Sequence, residues 1–171
     1  MNKLFQSLML FIWLLSPSLL VAAQEDDILG EWITEGGGAR VEIFKKDHRY
    51  YGKIVGLKEP NFLPGEVKGL DGTPRLDSNN QKESLRSRPL LGVELVKNFR
   101  FEKGIWTDGQ IYNPENGKVY KCKITLTEDG NLHVRGYIGI SLIGSTTVWK
   151  SKKAYLDKEL AFLGLTRCSC K

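Results

Sequence analysis

The sequence is poor in the residues that usually build reactive centres. Its 171 residues include two histidines, three cysteines and two methionines. His48 falls in a turn and His133 on a polar strand position, so no paired histidine or Cys/His spacing exists for a zinc site of the usual kind. Ser141, Ser145 and Thr146 lack the glycine-flanked setting of a hydrolase nucleophile, and neither histidine is close to them in sequence. No phosphate loop or dinucleotide fingerprint appears. Asp77-Ser78-Asn79 begins like a calcium loop, but Gln81 takes the fifth position, Lys82 the glycine position and Arg88 the closing glutamate position. Glu94, Asp108 and Glu115 could serve a glycosidase, yet eighteen acidic residues lie between positions 24 and 149, so their presence carries no weight. No catalytic residue, metal site or cofactor is assigned from the sequence.

Long apolar runs are also missing. The longest, residues 8–15, has eight residues, and widening it to 4–21 takes in Gln6, three serines and Pro17, too broken for a spanning helix. What this segment does resemble is a secretory leader. Lys3 precedes the apolar run, Ser16-Pro17-Ser18 breaks it, and Val21-Ala22-Ala23 places small residues before Gln24. Residues 1–23 are therefore expected to be removed, leaving an exported protein, periplasmic or secreted, that is not integral to a membrane. No cysteine follows the cleavage position to carry a lipid. In an oxidising compartment the three cysteines are an odd number. Cys122 is expected as a buried free thiol, with a link to the tail as the alternative. Cys168-Ser169-Cys170 fits a local disulfide, a soft-metal pair or an intermolecular link.

Charge is unevenly placed. Residues 24–149 hold eighteen basic and eighteen acidic side chains, whereas 150–171 hold six basic and two acidic ones. A neutral body and export argue against a nucleic-acid partner despite a net charge of +5. The basic tail offers a contact for an envelope protein or an anionic surface.

The body reads as a strand meander. Runs at 30–34, 39–45, 50–57, 90–96, 105–112, 118–126, 132–138 and 145–150 are separated by turn residues such as Gly36-Gly37-Gly38, Lys46-Asp47-His48, Asn113-Pro114-Glu115-Asn116-Gly117 and Glu128-Asp129-Gly130-Asn131. Eight strands in hairpin order predict an all-β, up-and-down barrel or a sandwich. Val41 and Ile43 alternate with charged neighbours, as do Leu91, Val93 and Leu95. So do Tyr120, Cys122, Ile124 and Leu126 on one run, and Leu132, Val134 and Ile138 on another. These sets are expected to face inward, which leaves an interior with almost no ionisable group, either filled by side chains or open as an apolar cavity. Gly136, Gly139 and Gly144 are expected to mark a bend or bulge that helps close the sheet. After Lys150 the period changes. Leu156, Leu160 and Leu163 make one stripe of a short amphipathic helix ending near Gly164, docked on the barrel or resting on a membrane surface.

The long segment 58–88 exceeds what a connection needs, and such loops often carry function. On an extended strand Arg86 and Arg88 would point the same way and could clamp a carboxylate or phosphate. The alternative is that the loop caps the barrel and the arginines bond its own carbonyls or acids. The ligand-binding candidates are Asp77, Asn79, Arg86 and Arg88, with Trp106, Tyr112 and Tyr120 from nearby hairpins.

Gly30-Glu31-Trp32 resembles the G-x-W signature of lipocalins and the wider calycin superfamily, in which the tryptophan closes one end of a barrel. More of the chain resembles a bacterial exported family catalogued as domain of unknown function 2147. The shared stretches are GARVEIF (38–44), YYGKIV (50–55), LRSRPLLG (85–92), GQIYNPENGKVYKCKI (109–124) and VRGYIGISLIGSTTVW (134–149). The resemblance implies a single calycin-like barrel, placed over 24–153, and an envelope or secreted location, with no catalytic residues; the basic tail over 154–171 lies outside it. It also implies that Trp32 closes the barrel beneath a late basic residue, Arg135 or Lys150. Where the family often has Phe-Gly-Arg-Thr this chain has Ile143-Gly144-Ser145-Thr146, and its loop reads Asp77-Ser78-Asn79-Asn80-Gln81-Lys82 in place of an Asn-Pro-Asp-like turn. Three functions are compatible with this pattern. A carrier of a small, mainly apolar molecule comes first, then an envelope interaction module with a filled barrel, and third an enzyme acting on envelope material.

Overall fold

The computed structural model describes residues 23–162. The leader reading, Leu163, Gly164, Cys168 and Cys170 thus fall outside the described residues, apart from Ala23. Eight antiparallel strands form one closed barrel in chain order. They are β1 (Gly30–Ile33), β2 (Ala39–Lys46), β3 (Arg49–Leu57), β4 (Glu94–Glu102), β5 (Ile105–Asn113), β6 (Lys118–Leu126), β7 (Asn131–Tyr137) and β8 (Gly144–Ser151). The ring closes between β1 and β8, where Trp32 faces Ser151 and Ile33 faces Lys150. Seven of the eight runs read from the sequence coincide with these strands, and the run at 90–96 overlaps β4 only over 94–96.

The two ends differ. At one, β2–β3 and β4–β5 turn over two residues, Asp47-His48 and Lys103-Gly104, each pair in the left-handed conformation that suits the twist of a tight hairpin. The opposite end carries the longer connections, including all of 58–93.

The tight end is filled. The turn before β1 tucks Ile28 completely inside, and the Trp32 indole N–H donates to the Ile28 carbonyl at 2.8 Å. The Trp106 indole N–H donates to the Glu25 carbonyl at 3.1 Å, and the Tyr50 hydroxyl donates to the Asp26 carboxylate at 3.0 Å. Lys45 grips the same turn through Asp26 at 2.9 Å and Glu25 at 3.2 Å. Tyr50 meets Trp106 edge-on at 6.4 Å and Phe101 tilts against it at 5.0 Å. This aromatic layer is where most of the large apolar area leaves water.

Three expectations from alternation are corrected. Strand β4 runs on through Glu102 because Asn98, in a left-handed bulge, inserts an extra residue, so Val96 and Phe99 both face inward three positions apart. Leu91 and Ile138 were assigned to the core but are 55% and 68% exposed, since each lies just beyond a strand end, where the pleat no longer sets direction. The helix α1 (Lys152–Phe162) starts directly after β8, its Ala154 N–H capped by the Ser151 hydroxyl at 3.1 Å. Of the expected leucine stripe, only Leu156 falls among the helix positions whose side chains are described. No helix among the described residues is long and apolar enough to cross a membrane.

A second bulge, at Asp108, places Gly109 directly under the Phe99 ring, where a β-carbon would lie 2.1 Å from a ring atom. Gly109→Ala should therefore lower stability by about 2–3 kcal/mol through overpacking, read from urea unfolding. Gly136→Ala, whose β-carbon finds neighbours no closer than 3.5 Å, should shift it by less than about 1 kcal/mol.

Candidate functional site

The site is built by the connection between β3 and β4. Its first half folds on itself through bridges between Asn61 and Pro74 and between Leu76 and Pro89. Arg75 organises it. Its guanidinium binds both Glu66 oxygens at 2.7 and 2.9 Å and the Glu59 carboxylate at 3.2 Å, and it stacks 5.2 Å from the Phe62 ring centre. The guanidinium holds the Glu66 carboxyl below its usual range.

The second half is strapped to the barrel by one buried carboxylate. Asp77 has no exposed surface and accepts from Arg88 Nε at 2.9 Å, Arg88 Nη2 at 2.7 Å, Asn80 Nδ2 at 2.7 Å and the Tyr112 hydroxyl on β5. Burial first, and the neighbouring Asp77 second, push the Tyr112 phenol up to about 12. Asn79 Nδ2 donates to the Pro114 and Glu115 carbonyls at 3.2 and 3.0 Å, joining the loop to the β5–β6 hairpin. The approach is so close that a β-carbon on Gly117 would lie 1.8 Å from the Asn79 carbonyl oxygen.

Arg86 and Arg88 do not form the parallel pair expected of an extended segment. Residues Glu83–Leu85 make a 3-10 turn and Arg86 continues it with helical backbone angles, so the period of two is lost. Arg86 Nε donates to the Asn80 carbonyl at 2.8 Å while Arg88 serves Asp77. Both arginines thus bond the loop's own groups.

Above the aromatic layer the barrel opens into a funnel of about 840 Å³. Its wall is largely aliphatic and aromatic. Ile54, Leu57, Leu95, Ile111, Val134 and Trp149 line it from the strands, and Phe62, Leu76 and Leu90 line it from the strapped loop. Tyr112, Tyr120 and Tyr137 add hydroxyl-bearing rings, and Thr34, Ser78, Asn79, Asn113, Ser145 and Thr147 add neutral polar groups. The ionisable side chains on the lining besides the tyrosines are Glu35, Arg75 and Glu115, and Arg75 is already held by two carboxylates.

Of the sequence candidates, Asn79, Tyr112 and Tyr120 reach the funnel. Asp77, Arg86 and Arg88 position its wall, and Trp106 lies at the filled end, bonded to Glu25. Trp32 lies at that filled end too. Arg135 does not lie over it, because its guanidinium holds the β7–β8 connection through the Ser141 and Leu142 carbonyls at 2.8 and 3.2 Å. Lys150 sits in the closing ladder with its side chain exposed. Phe62, Leu76, Leu90, Ile111 and Trp149 were not picked out as site residues from the sequence. The alternation of Thr147 and Trp149 on β8 was a signal for the last of them, whereas the loop residues have none. Cys122 is a buried free thiol, pushed up to about 12 by burial.

A family model described as "Uncharacterized protein conserved in bacteria (DUF2147)" matches residues 30–151. Among solved structures, protein HP1028 of Helicobacter pylori, described as belonging to the lipocalin family, superposes with a TM-score of 0.60 and 22% identity, covering 83% of this chain and 92% of that one. Among curated proteins, the immunodominant protein p72 of Mycoplasma mycoides subsp. mycoides is 25% identical over 134 residues, which is 77% of this chain and 21% of p72. The chain thus spans about a fifth of that relative's length.

Removing the Asp77 carboxylate leaves three donor residues facing a dry void. Asp77→Ala should lower stability by about 3 kcal/mol and make the 58–93 segment the first site of limited proteolysis. Tyr112 supplies a pH signature. Its phenol ionises near 10.0 when unfolded and about 12 when folded, so its contribution is complete below pH 10 and is lost as pH rises towards 12. Tyr112→Phe should reduce the fall in urea midpoint between pH 9 and 11.

Proposed function

The chain belongs to the DUF2147 family, and from that premise and the funnel at the open end of its barrel we propose that it is an exported binding protein for a small, mainly apolar molecule of the cell envelope. The observation that carries the proposal is the division of one interior into a filled end and an open end. An eight-stranded barrel has room either to be filled by side chains or to hold one small ligand, and this chain does the first below and the second above. The volume of about 840 Å³ lies within the range of small-molecule sites, roughly 300–1,000 Å³.

The wall chemistry supports an apolar body with a few neutral polar atoms near the mouth. Burying such a ligand is favourable by about 25 cal/mol per Å² of apolar surface, and neutral polar side chains such as Tyr137 and Ser145 on the wall orient it. Export to the periplasm or out of the cell is supported by the leader pattern of residues 1–23. The filled-barrel interaction module finds support only in the lower half of the molecule, and no group on the funnel wall is arranged for bond cleavage.

Native mass spectrometry of the protein purified from its exporting host should show an added mass that leaves on denaturation. Gly136→Leu, which extends a side chain from a relaxed strand position into the funnel, should weaken that ligand about tenfold or more, equivalent to about 1.4 kcal/mol. A bare mass in every preparation, with no quenching of Trp149 by an apolar probe such as N-phenyl-1-naphthylamine, would overturn the carrier reading.

A further inference from the structure

The β7–β8 connection, residues 138–143, forms an uncharged apolar tip beside the funnel mouth. Ile138, Ile140, Leu142 and Ile143 are 68%, 60%, 84% and 69% exposed. No charged residue occurs between Arg135 and Lys150. Scattered exposed aliphatics are ordinary, but four on one six-residue tip form a patch that marks an interaction surface.

The backbone of this tip is prepared for a dry setting. The Ile140 carbonyl accepts from the Ile143 N–H at 3.1 Å and the Ile143 carbonyl from the Ile138 N–H at 3.4 Å. The Ser141 and Leu142 carbonyls accept from the Arg135 guanidinium, which also donates to the Thr146 hydroxyl at 3.0 Å. Four consecutive carbonyls are therefore satisfied within the protein. That arrangement lowers the cost of moving them out of water, a cost of several kcal/mol for each one left unpaired in hydrocarbon.

The strands beneath the tip carry charge of one sign. β6, β7 and β8 contain Lys118, Lys121, Lys123, Arg135 and Lys150 and no aspartate or glutamate. Lys123 faces Arg135 across the ladder, and Lys121 faces Tyr137. Among the described residues none of these five cations joins an ion pair. On the other side of the barrel Arg40, Lys45, Lys53, Lys97 and Arg100 each hold a carboxylate. Of the acids that flank this wall in sequence, Glu128 and Asp129 lie in the β6–β7 turn at the filled end, and Glu115 precedes β6 at the open end.

We infer that the open end of the barrel docks on an anionic lipid surface, with the tip at 138–143 among the acyl chains and the β6–β8 wall against the headgroups. Aliphatic prongs above an uncompensated cationic wall are the two components that interfacial binding combines, apolar burial and attraction to anionic lipid. A nucleic acid would suit the cations but not the prongs. The surface lies outside residues 154–171, and the inference goes beyond the identity of whatever the funnel holds. Because Ile138 and Ile143 line both the tip and the funnel, docking opens the mouth towards the bilayer.

The test is flotation of the purified full chain with phosphatidylcholine vesicles, with and without phosphatidylglycerol. Binding is expected with phosphatidylglycerol present. It should fall about tenfold or more for Leu142→Glu and severalfold for Lys121→Glu combined with Lys123→Glu, or in high salt. Leu91→Glu, on another exposed leucine outside this wall, should bind as the parent does. Matching melting temperatures would establish that each variant is folded. Absence of vesicle binding would overturn the inference. So would binding that Leu142→Glu leaves intact, since it would then come from the tail or another surface. Self-association of the parent that Leu142→Glu abolishes, without vesicle binding, would reassign the tip to a second copy of the chain.

Discussion

An eight-stranded closed sheet encloses a width that small side chains cannot fill, and this constraint organises the molecule. The chain meets it differently at its two ends. At one, Trp32, Tyr50, Phe99 and Trp106 converge on Ile28, a residue from outside the barrel wall, and the donor groups of three of these aromatics hold the turn that delivers it. At the other, the inward positions include Val134, Thr147 and Gly136, and the interior stays open. Filling one end gives the ring a rigid base, so the other end can stay open while the barrel remains closed.

The open end is walled by a loop that could not hold its shape unaided. Thirty-six residues between β3 and β4 cost substantial conformational entropy to order. The compensation comes from two ionic centres, Arg75 with its two glutamates on the exposed side and Asp77 with Arg88 on the buried side. They differ in character. The glutamates around Arg75 are partly exposed, so its pairs are worth little each, whereas Asp77 is dry and shared among Arg88, Asn80 and Tyr112, so its loss leaves several groups unpaired at once. Phe62, Leu76 and Leu90 belong to the funnel only because these fastenings bring them there.

The same asymmetry extends to the outer surface. Carboxylates and cations are paired along β1 to β5, while β6 to β8 carry cations alone beneath an apolar tip. A barrel with no net preference for one side in its total charge is thus polarised both along its axis and around its circumference.

The eight strands, their hairpin order and most of the inward residues were legible in the chain itself, because a period of two and turn residues act over short distances. Errors fell where that local rule lapses: at the Asn98 bulge, which shifts the period by one and carries β4 past the expected end, and at Leu91 and Ile138, outside strand ends. Pairings across long separations left no such trace. The partner of Asp77 on β5 is 35 positions away, the partner of Trp106 before β1 is 81 away, and neither spacing has a sequence signature. The linear pattern therefore determined that this chain folds as eight antiparallel strands in hairpin order around an apolar interior, and closure into a barrel came with the structure. Which half of that interior is filled, and how the loop walls the other, was decided only in three dimensions, because both depend on side chains that meet through closure of the ring.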